Sequence, residues 1–574
     1  MLRRSRKPVR VEKSARNFFP RVESLESRLN LAGNVAAYVL GANLYITGDT
    51  ASNEVTLTGT GGGDFTVEAA AGTTLKARNG ATILDLEANN IANIFITMNN
   101  GDDIVTITGA EISGLLSFNG GNGADQLLIG DAGGTTELGR LTALMGAGDD
   151  TITVEDVDVT IGLISINNGD GDNYTTIRAT GTYSLGTASI VGGRDLDNVL
   201  LEGADMTTGA ITVNSSSGVN AFELTAGNNL DVNGNITVLG TTGSDIVSVN
   251  AVALLDTRAI TVNLGAGLNS FDLLGDSVDV VGNITVLGTT GEDNVQISGT
   301  TELATRSITA NLGANDNEIL VDGAVITVNG SISLTGTSGE DLFDIGSGAT
   351  ADLLVTGSVV VNLGDGALAN GNGLNITAED IQINGLLSVV SGKGGDNITV
   401  NATTELDILG ITLNTGAGDD AITITSGEDV SVVGATPNIG ANLTIASGAG
   451  GDTITVAGLF VKGATSANLG DGVNVVNVDS SIFRGAVAVA SLNGVDTINV
   501  EEGGLGIGTT FNGVVSVSLA GGDDVVNLGT AGDVVVFNSR VVVNGGAGDD
   551  ELNAGAGVDF AFTPTLTSIT LNLV

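Results

Sequence analysis

Residues able to do chemistry recur along this chain in one pattern, a glycine-rich turn followed by aspartate. Gly120–Leu128 reads GGNGADQLL, Met145–Thr153 reads MGAGDDTIT and Thr415–Thr423 reads TGAGDDAIT. Ser391–Thr399 (SGKGGDNIT), Ser447–Ile454 (SGAGGDTI) and Gly545–Asn553 (GGAGDDELN) repeat it. Ala554–Phe562 (AGAGVDFAF) follows the last of these in tandem. Carboxylate and carbonyl oxygens are hard donors, the set that Ca²⁺ favours. Equivalent carboxylates one strand spacing apart repel by roughly 1 kcal/mol even in bulk water. Such an edge must therefore bind cations, take up protons, splay its side chains into solvent, or alternate Asp with Asn. Asn does stand at 173, 220, 269, 317 and 474.

The elements that position these turns follow from a repeat. Gly234–Val249 (GNITVLGTTGSDIVSV) returns as Gly282–Ile297 (GNITVLGTTGEDNVQI) and again, altered, as Ser331–Ile345. A variant unit, RAITVNLGAG at Arg258–Gly267 and RSITANLGAN at Arg306–Asn315, falls halfway between. The unit is thus about 24 residues, with alternate units more alike. A fixed period of this size marks a stacked solenoid rather than a domain around one central core. Alternation such as Thr-Ile-Thr-Val gives strands with one face inward. The fold expected is all-β: a long parallel β-solenoid (β-helix) nearly free of helix. Roughly 21 rungs at the strand spacing make a rod on the order of 100 Å long. Val247, Val295 and Phe343 should point inward with Ile236, Ile284 and Ile332. Asn of the Val-Asn-Leu-Gly corners should stack as amide ladders. Aromatic residues, 3% of the chain, should interrupt the aliphatic layers. The gaps between Asp341 and Asp396 and between Asp420 and Asp452 mark loop insertions or a degenerate rung, placed at Leu363–Gly373 and Val433–Ile439.

The Gly-x-Gly-x-Asp turns resemble the hemolysin-type (RTX) calcium-binding repeat, G-G-x-G-x-D-x-U-x with U a large apolar residue. Gly545–Asn553 and Gly120–Leu128 match throughout. In that family glycine carbonyls and the Asp carboxylate hold Ca²⁺ between neighbouring turns. The resemblance implies Ca²⁺ as cofactor, with ligands among Gly120, Gly121, Gly123, Asp125, Asp150, Asp396, Asp420, Asp452, Gly545, Gly546, Gly548, Asp550 and Asp559. The chain departs from the family in spacing. Family arrays repeat every nine residues, whereas here the turns come about 24 apart.

The first 34 residues form a separate basic segment, and residues 35–574 a single solenoid domain. Nine of the 20 Lys and Arg lie within the first 28 residues. Setting aside Glu12, Glu23 and Glu26, the rest carries 11 basic against 63 acidic residues. Such a body repels nucleic acid and anionic membranes. Ser24–Leu31 could form a short capped helix. Phe19–Ala32 (FPRVESLESRLNLA) resembles the LEPR-x-L-L segment that opens many planctomycete exported and surface proteins. Leu25, Glu26, Arg28, Leu29 and Leu31 match it, while Ser27 replaces Pro and Asn30 breaks the final Leu pair. That resemblance implies an extracellular or cell-surface location. No run of 18 apolar residues exists to span a membrane as a helix.

The chain has no His and no Cys, which removes the commonest general base and every thiolate ligand. Asp149/Asp150 and Asp419/Asp420 are nominal carboxylate pairs for glycoside hydrolysis. Adjacent strand residues point to opposite faces, however. Thr-x-Thr pairs such as Thr151/Thr153 are ordinary outward strand threonines. The expectation is a non-catalytic exported structural, surface or matrix protein, an acidic rod with Ca²⁺ at its turns. Its partners would be other surface proteins, polysaccharide or further copies of itself. The alternatives are a β-helix carbohydrate-active enzyme (polysaccharide lyase or glycoside hydrolase) and an adhesin rod.

Overall fold

Strands of alternating inward and outward residues, stacked rung upon rung, build the molecule in a computed structural model. It describes residues 33–347, 350–366, 371–427, 438–502, 508–529 and 533–573. Among these residues there is no helix. The expected helix at Ser24–Leu31 lies outside them, and the strand Gly33–Leu40 opens the described chain.

Each central rung contributes three short strands, each paired in parallel with its equivalents in the rungs before and after. The first strand file follows the glycine turn and includes Thr151–Asp156, Ile246–Ala251 and Ala421–Ser426. The second includes Val325–Val328 and Asp352–Val355. The third includes Ile211–Asn214, Leu443–Ala446 and Val541–Asn544. The register follows the sequence repeat. Ile236, Ile260, Ile284, Ile308 and Ile332 stand one above another, all buried. Val247, Phe271, Val295, Ile319 and Phe343 form a second such ladder. The inward assignments therefore hold. Burying a side chain of this size contributes about 1.5–3 kcal/mol.

The solenoid is parallel as expected, and three details differ from expectation. Its head adds antiparallel pairs to strands that also pair in parallel with the following rungs. Gly33–Leu40 pairs with Asn43–Thr47, and Asp64–Ala69 pairs with both Glu54–Gly61 and Asp85–Ala88. The hairpins turn at Gly41 and Gly61–Gly63, all with positive φ, where only glycine is free of strain. Aromatic rings do not interrupt the layers. Phe483, Phe511, Phe537 and Phe560 stack with centroids 4.9–5.1 Å apart and planes within 7°. A ring fits a rung when the next rung repeats it, because strand spacing and ring stacking distance nearly coincide. Finally, the corner asparagines divide: Asn527 of Val526-Asn527-Leu528-Gly529 joins an amide ladder, while others do not. Asn263 and Asn362 accept the N–H two residues on, from Gly265 and Gly364, as Asx turns do. The amide ladder lies on the outer face of the first file, where Asn477, Asn499, Asn527, Asn553 and Asn572 are linked at 2.9–3.0 Å.

The C-terminal rungs enclose a cavity of about 70 Å³. Ala467, Val487, Val515 and Val543 line it; Val487 and Val515 stand in the column where earlier rungs carry Ile236 and Ile284, and Ala467 follows Ile445.

Candidate functional site

The glycine-turn Asp and Asn residues stack on one edge of the rod, but they face inward. Asp103, Asp125, Asp150, Asp293, Asp420 and Asp550 are all buried. Each Oδ1 accepts from the rung before it. The N–H of Asp103 donates to Asp125 (2.9 Å), that of Asp125 to Asp150 (2.8 Å) and that of Asp150 to Asn173 (3.1 Å). The file runs from Asn53 to Asp550 through twenty residues, joined at every step by a backbone N–H or a side-chain amide. Its nineteen steps span about 90 Å at the strand spacing. Asp245, Asp293 and Asp341 fall two rungs apart on it, as the 48-residue register requires.

The file crosses both long gaps. Asn372, absent from the sequence pattern, takes the N–H of Asp341 (3.0 Å) and gives its own to Asp396 (2.8 Å). Asp420 donates directly to Asp452 at 3.1 Å. The gaps are therefore lengthened rungs, each still contributing a residue to the file. Residues 367–370 and 428–437, which overlap the expected insertions, lie outside the described residues.

The alternation of Asp and Asn has a structural cause. Asn269 and Asn317 donate Nδ2 to the Oδ1 of Asp293 (2.7 Å) and Asp341 (2.8 Å). Each also accepts the N–H of the aspartate before it. One amide thus serves two carboxylate rungs and keeps like charges two spacings apart. This is why alternate 24-residue units are more alike.

Three stretches lack that relief: Asp103–Asp125–Asp150, Asp396–Asp420–Asp452 and Asp496–Asp524–Asp550. Burial, then the carboxylates above and below, push Asp125 and Asp420 up to about 7. Burial pushes Asp103, Asp150 and Asp524 up to about 6. Desolvation disfavours the charged form, and each neighbouring carboxylate adds to it. The Oδ2 atoms of Asp103, Asp125, Asp150, Asp293 and Asp550 are buried with no hydrogen-bond partner among the described residues. Ser391 and Thr415 donate their hydroxyls to the Oδ2 of Asp396 and Asp420.

The candidate Ca²⁺ ligands fall into place around this file. Asp125, Asp150, Asp396, Asp420, Asp452 and Asp550 all belong to it. Gly120 and Gly545 stand five residues before Asp125 and Asp550, where a Cβ would collide with the carboxylate. Gly121, Gly123, Gly546 and Gly548 take positive φ in the turn itself. Asp559 stands apart. It is exposed on Val558–Phe560, in register with Val536 on the phenylalanine sheet. Among the described residues, no three acidic groups converge on a point that could hold a metal ion. The edge offers at most one orphan carboxylate oxygen per rung, and none at its asparagine rungs or at Asp396 and Asp420.

The nominal catalytic pairs are split by the fold. Asp150 is buried and accepts from Asp125, whereas Asp149 is exposed and accepts from Asp172 at 3.0 Å. Asp420 and Asp419 divide in the same way, toward Asp396 and Gly451. Sequence reading missed one pair, Glu111 and Glu137, neighbours in register on the wall of a cleft of about 240 Å³ beside Gly62. Glu111 Oε2 accepts the Gly62 N–H at 3.2 Å.

Fold and file together define a parallel β-solenoid of three-strand rungs held along one edge by an inward Asx file. Comparison with protein-family models, curated proteins and solved structures finds no match.

Proposed function

We propose that this protein is a non-catalytic structural rod of the cell surface or extracellular matrix. The observation that carries the reading is the direction of its turn aspartates. Their Oδ1 atoms accept hydrogen bonds from neighbouring rungs, and their burial withdraws them from any substrate. The residues best suited to chemistry thus serve the stacking of the rod. Surface or matrix placement rests on the N-terminal segment and the acidic body. Solution scattering should give an elongated particle on the order of 100 Å long. Release of sugar products from a panel of acidic and neutral polysaccharides would overturn the non-catalytic reading.

Calcium forms a second reading, favoured by the orphan Oδ2 atoms, which a cation or a proton would satisfy. Ligand bound only by the folded state raises the melting temperature by mass action. Ca²⁺ should then stabilise the rod over chelator, Mg²⁺ should substitute poorly, and Asp550→Asn should reduce the effect. Equal action of Mg²⁺ and Ca²⁺ would leave charge screening as the whole cause.

A further inference from the structure

The outward side chains of the third strand file form a face unlike the rest of the molecule. Ser117, Thr142, Ser165, Ser189 and Thr212 begin a column of hydroxyls continuing in register to Ser333, ten consecutive rungs in all. After Val360 it resumes with Ser388, Thr412, Thr444 and Ser466. The flanking outward positions, two residues to either side, are mostly Asn, Ser, Ala, Leu and Val. From Asn43 to Thr567 none of these three positions holds Asp or Glu, in a chain with 66 of them.

The other faces carry carboxylates, on the first file Glu155, Glu202, Glu223 and Glu318. Asp231, Asp256 and Asp279 stack on the second file, and Asp149, Asp172, Asp419 and Asp549 are exposed along the turn edge. The neutral face also carries exposed Leu144, Leu163, Leu287 and Leu386.

We infer that this carboxylate-free face is a self-association surface, on which a second copy of the chain packs sheet against sheet. Three arguments select that occupant. Chains of net charge −46 repel wherever carboxylates meet, and this is the extended face without them. A partner for so regular a surface must share its period near 4.8 Å, and a second copy does so by construction. The face from Leu115 to Asn468 covers about 1,000 Å² per copy, at roughly 67 by 15 Å; stable interfaces need about 800 Å² per partner. Short Ser, Thr and Asn side chains allow sheets to approach to about 10 Å, and the arrangement closes as a two-fold dimer.

The inference rests on the reading of the chain as a structural rod. It is tested on the full chain by sedimentation equilibrium at about 0.15 M and 0.5 M salt, the higher salt screening residual repulsion. The expected result is a dimer, tighter at high salt. Thr237→Asp with Thr285→Asp should weaken it at least 100-fold. Thr207→Asp with Thr327→Asp, which add the same charge to the second file, should leave it unchanged. Circular dichroism should show all variants equally folded. A wild-type monomer at both salts, or equal weakening by both variant pairs, would overturn the assignment. So would monomers pelleting with an insoluble neutral glycan only when Thr237 and Thr285 are intact, because the face would then belong to the glycan. Any of these results leaves the rod reading standing, and polysaccharide cleavage would remove that reading without bearing on the dimer.

Discussion

The backbone N–H of Asp125 lies 2.8 Å from Oδ1 of Asp150, twenty-five residues later in the chain and one rung along the rod. Asp125 in turn receives the N–H of Asp103. Each aspartate is thus an acceptor for the rung before it and a donor to the rung after it. A carboxylate accepting a backbone N–H makes a charge-assisted bond. Its second oxygen carries the desolvation cost.

Stability should fall as pH rises through neutrality. Burial pushes Asp293 and Asp341 from the ordinary 3.8 up to about 6 in the folded chain. The folded state therefore binds these protons more tightly than the unfolded one. Their stabilising contribution is full below about pH 4 and is lost as pH rises through about 6. Melting temperature should be higher at pH 5 than at pH 8. General charge repulsion acts in the same direction, so the discriminating observation is that Asp293→Asn flattens the slope. An unchanged slope in that variant would contradict the assignment to the file.

Removing a link should cost more than neutralising it. Asp293→Ala leaves the side-chain amide of Asn269 without the Asp293 carboxylate, at a cost of about 1–3 kcal/mol. Denaturant unfolding of Asp293→Ala beside Asp293→Asn measures the difference. Equal stabilities would mean that the bonds of the file contribute little.

Ile284→Asp should destabilise by several kcal/mol, because an unpaired charge would enter the isoleucine ladder. Thr285→Asp, one residue on and outward, should fall within about 1 kcal/mol of wild type. Reversed effects in chemical denaturation would show the strand faces to be exchanged.

The phenylalanine stack should behave as a unit. Phe511→Ala removes a buried ring with a neighbour on each side and should cost about 3–5 kcal/mol. Phe511→Leu should recover more than half of that loss. A loss below about 1 kcal/mol in Phe511→Ala would mean that the rings do not support one another.

Much of this was legible in the sequence, because a solenoid turns sequence period directly into spatial register. The 48-residue recurrence placed Asp245, Asp293 and Asp341 on one edge, and alternation placed Ile284 inward. The direction of the aspartates was not legible. A Gly-x-Gly-x-Asp turn has the same composition whether its carboxylate faces solvent or the next rung's amide. The available signal was the residue five positions earlier, Gly120 before Asp125 or Thr415 before Asp420, which leaves room for the carboxyl or donates to it. Asn372 was hidden by a lengthened rung. The phenylalanine ladder was hidden because spacings of 28 and 26 residues between Phe483, Phe511 and Phe537 depart from the main period. The neutral face escaped notice because it consists of residues missing from one position in every rung, which only the register reveals.

The central claim is that the turn aspartates are inward links of a hydrogen-bonded file. It is tested most directly by melting the Asp125→Asn, Asp420→Asn double variant beside wild type at pH 8 with chelator. Both carboxyls lie between two others and are pushed up to about 7. Asparagine would keep the acceptor, add an amide donor as Asn269 and Asn317 do, and remove the buried charge. The variant should melt above wild type, by an amount that shrinks at pH 5. A variant that melts below wild type at both pH values would contradict the claim.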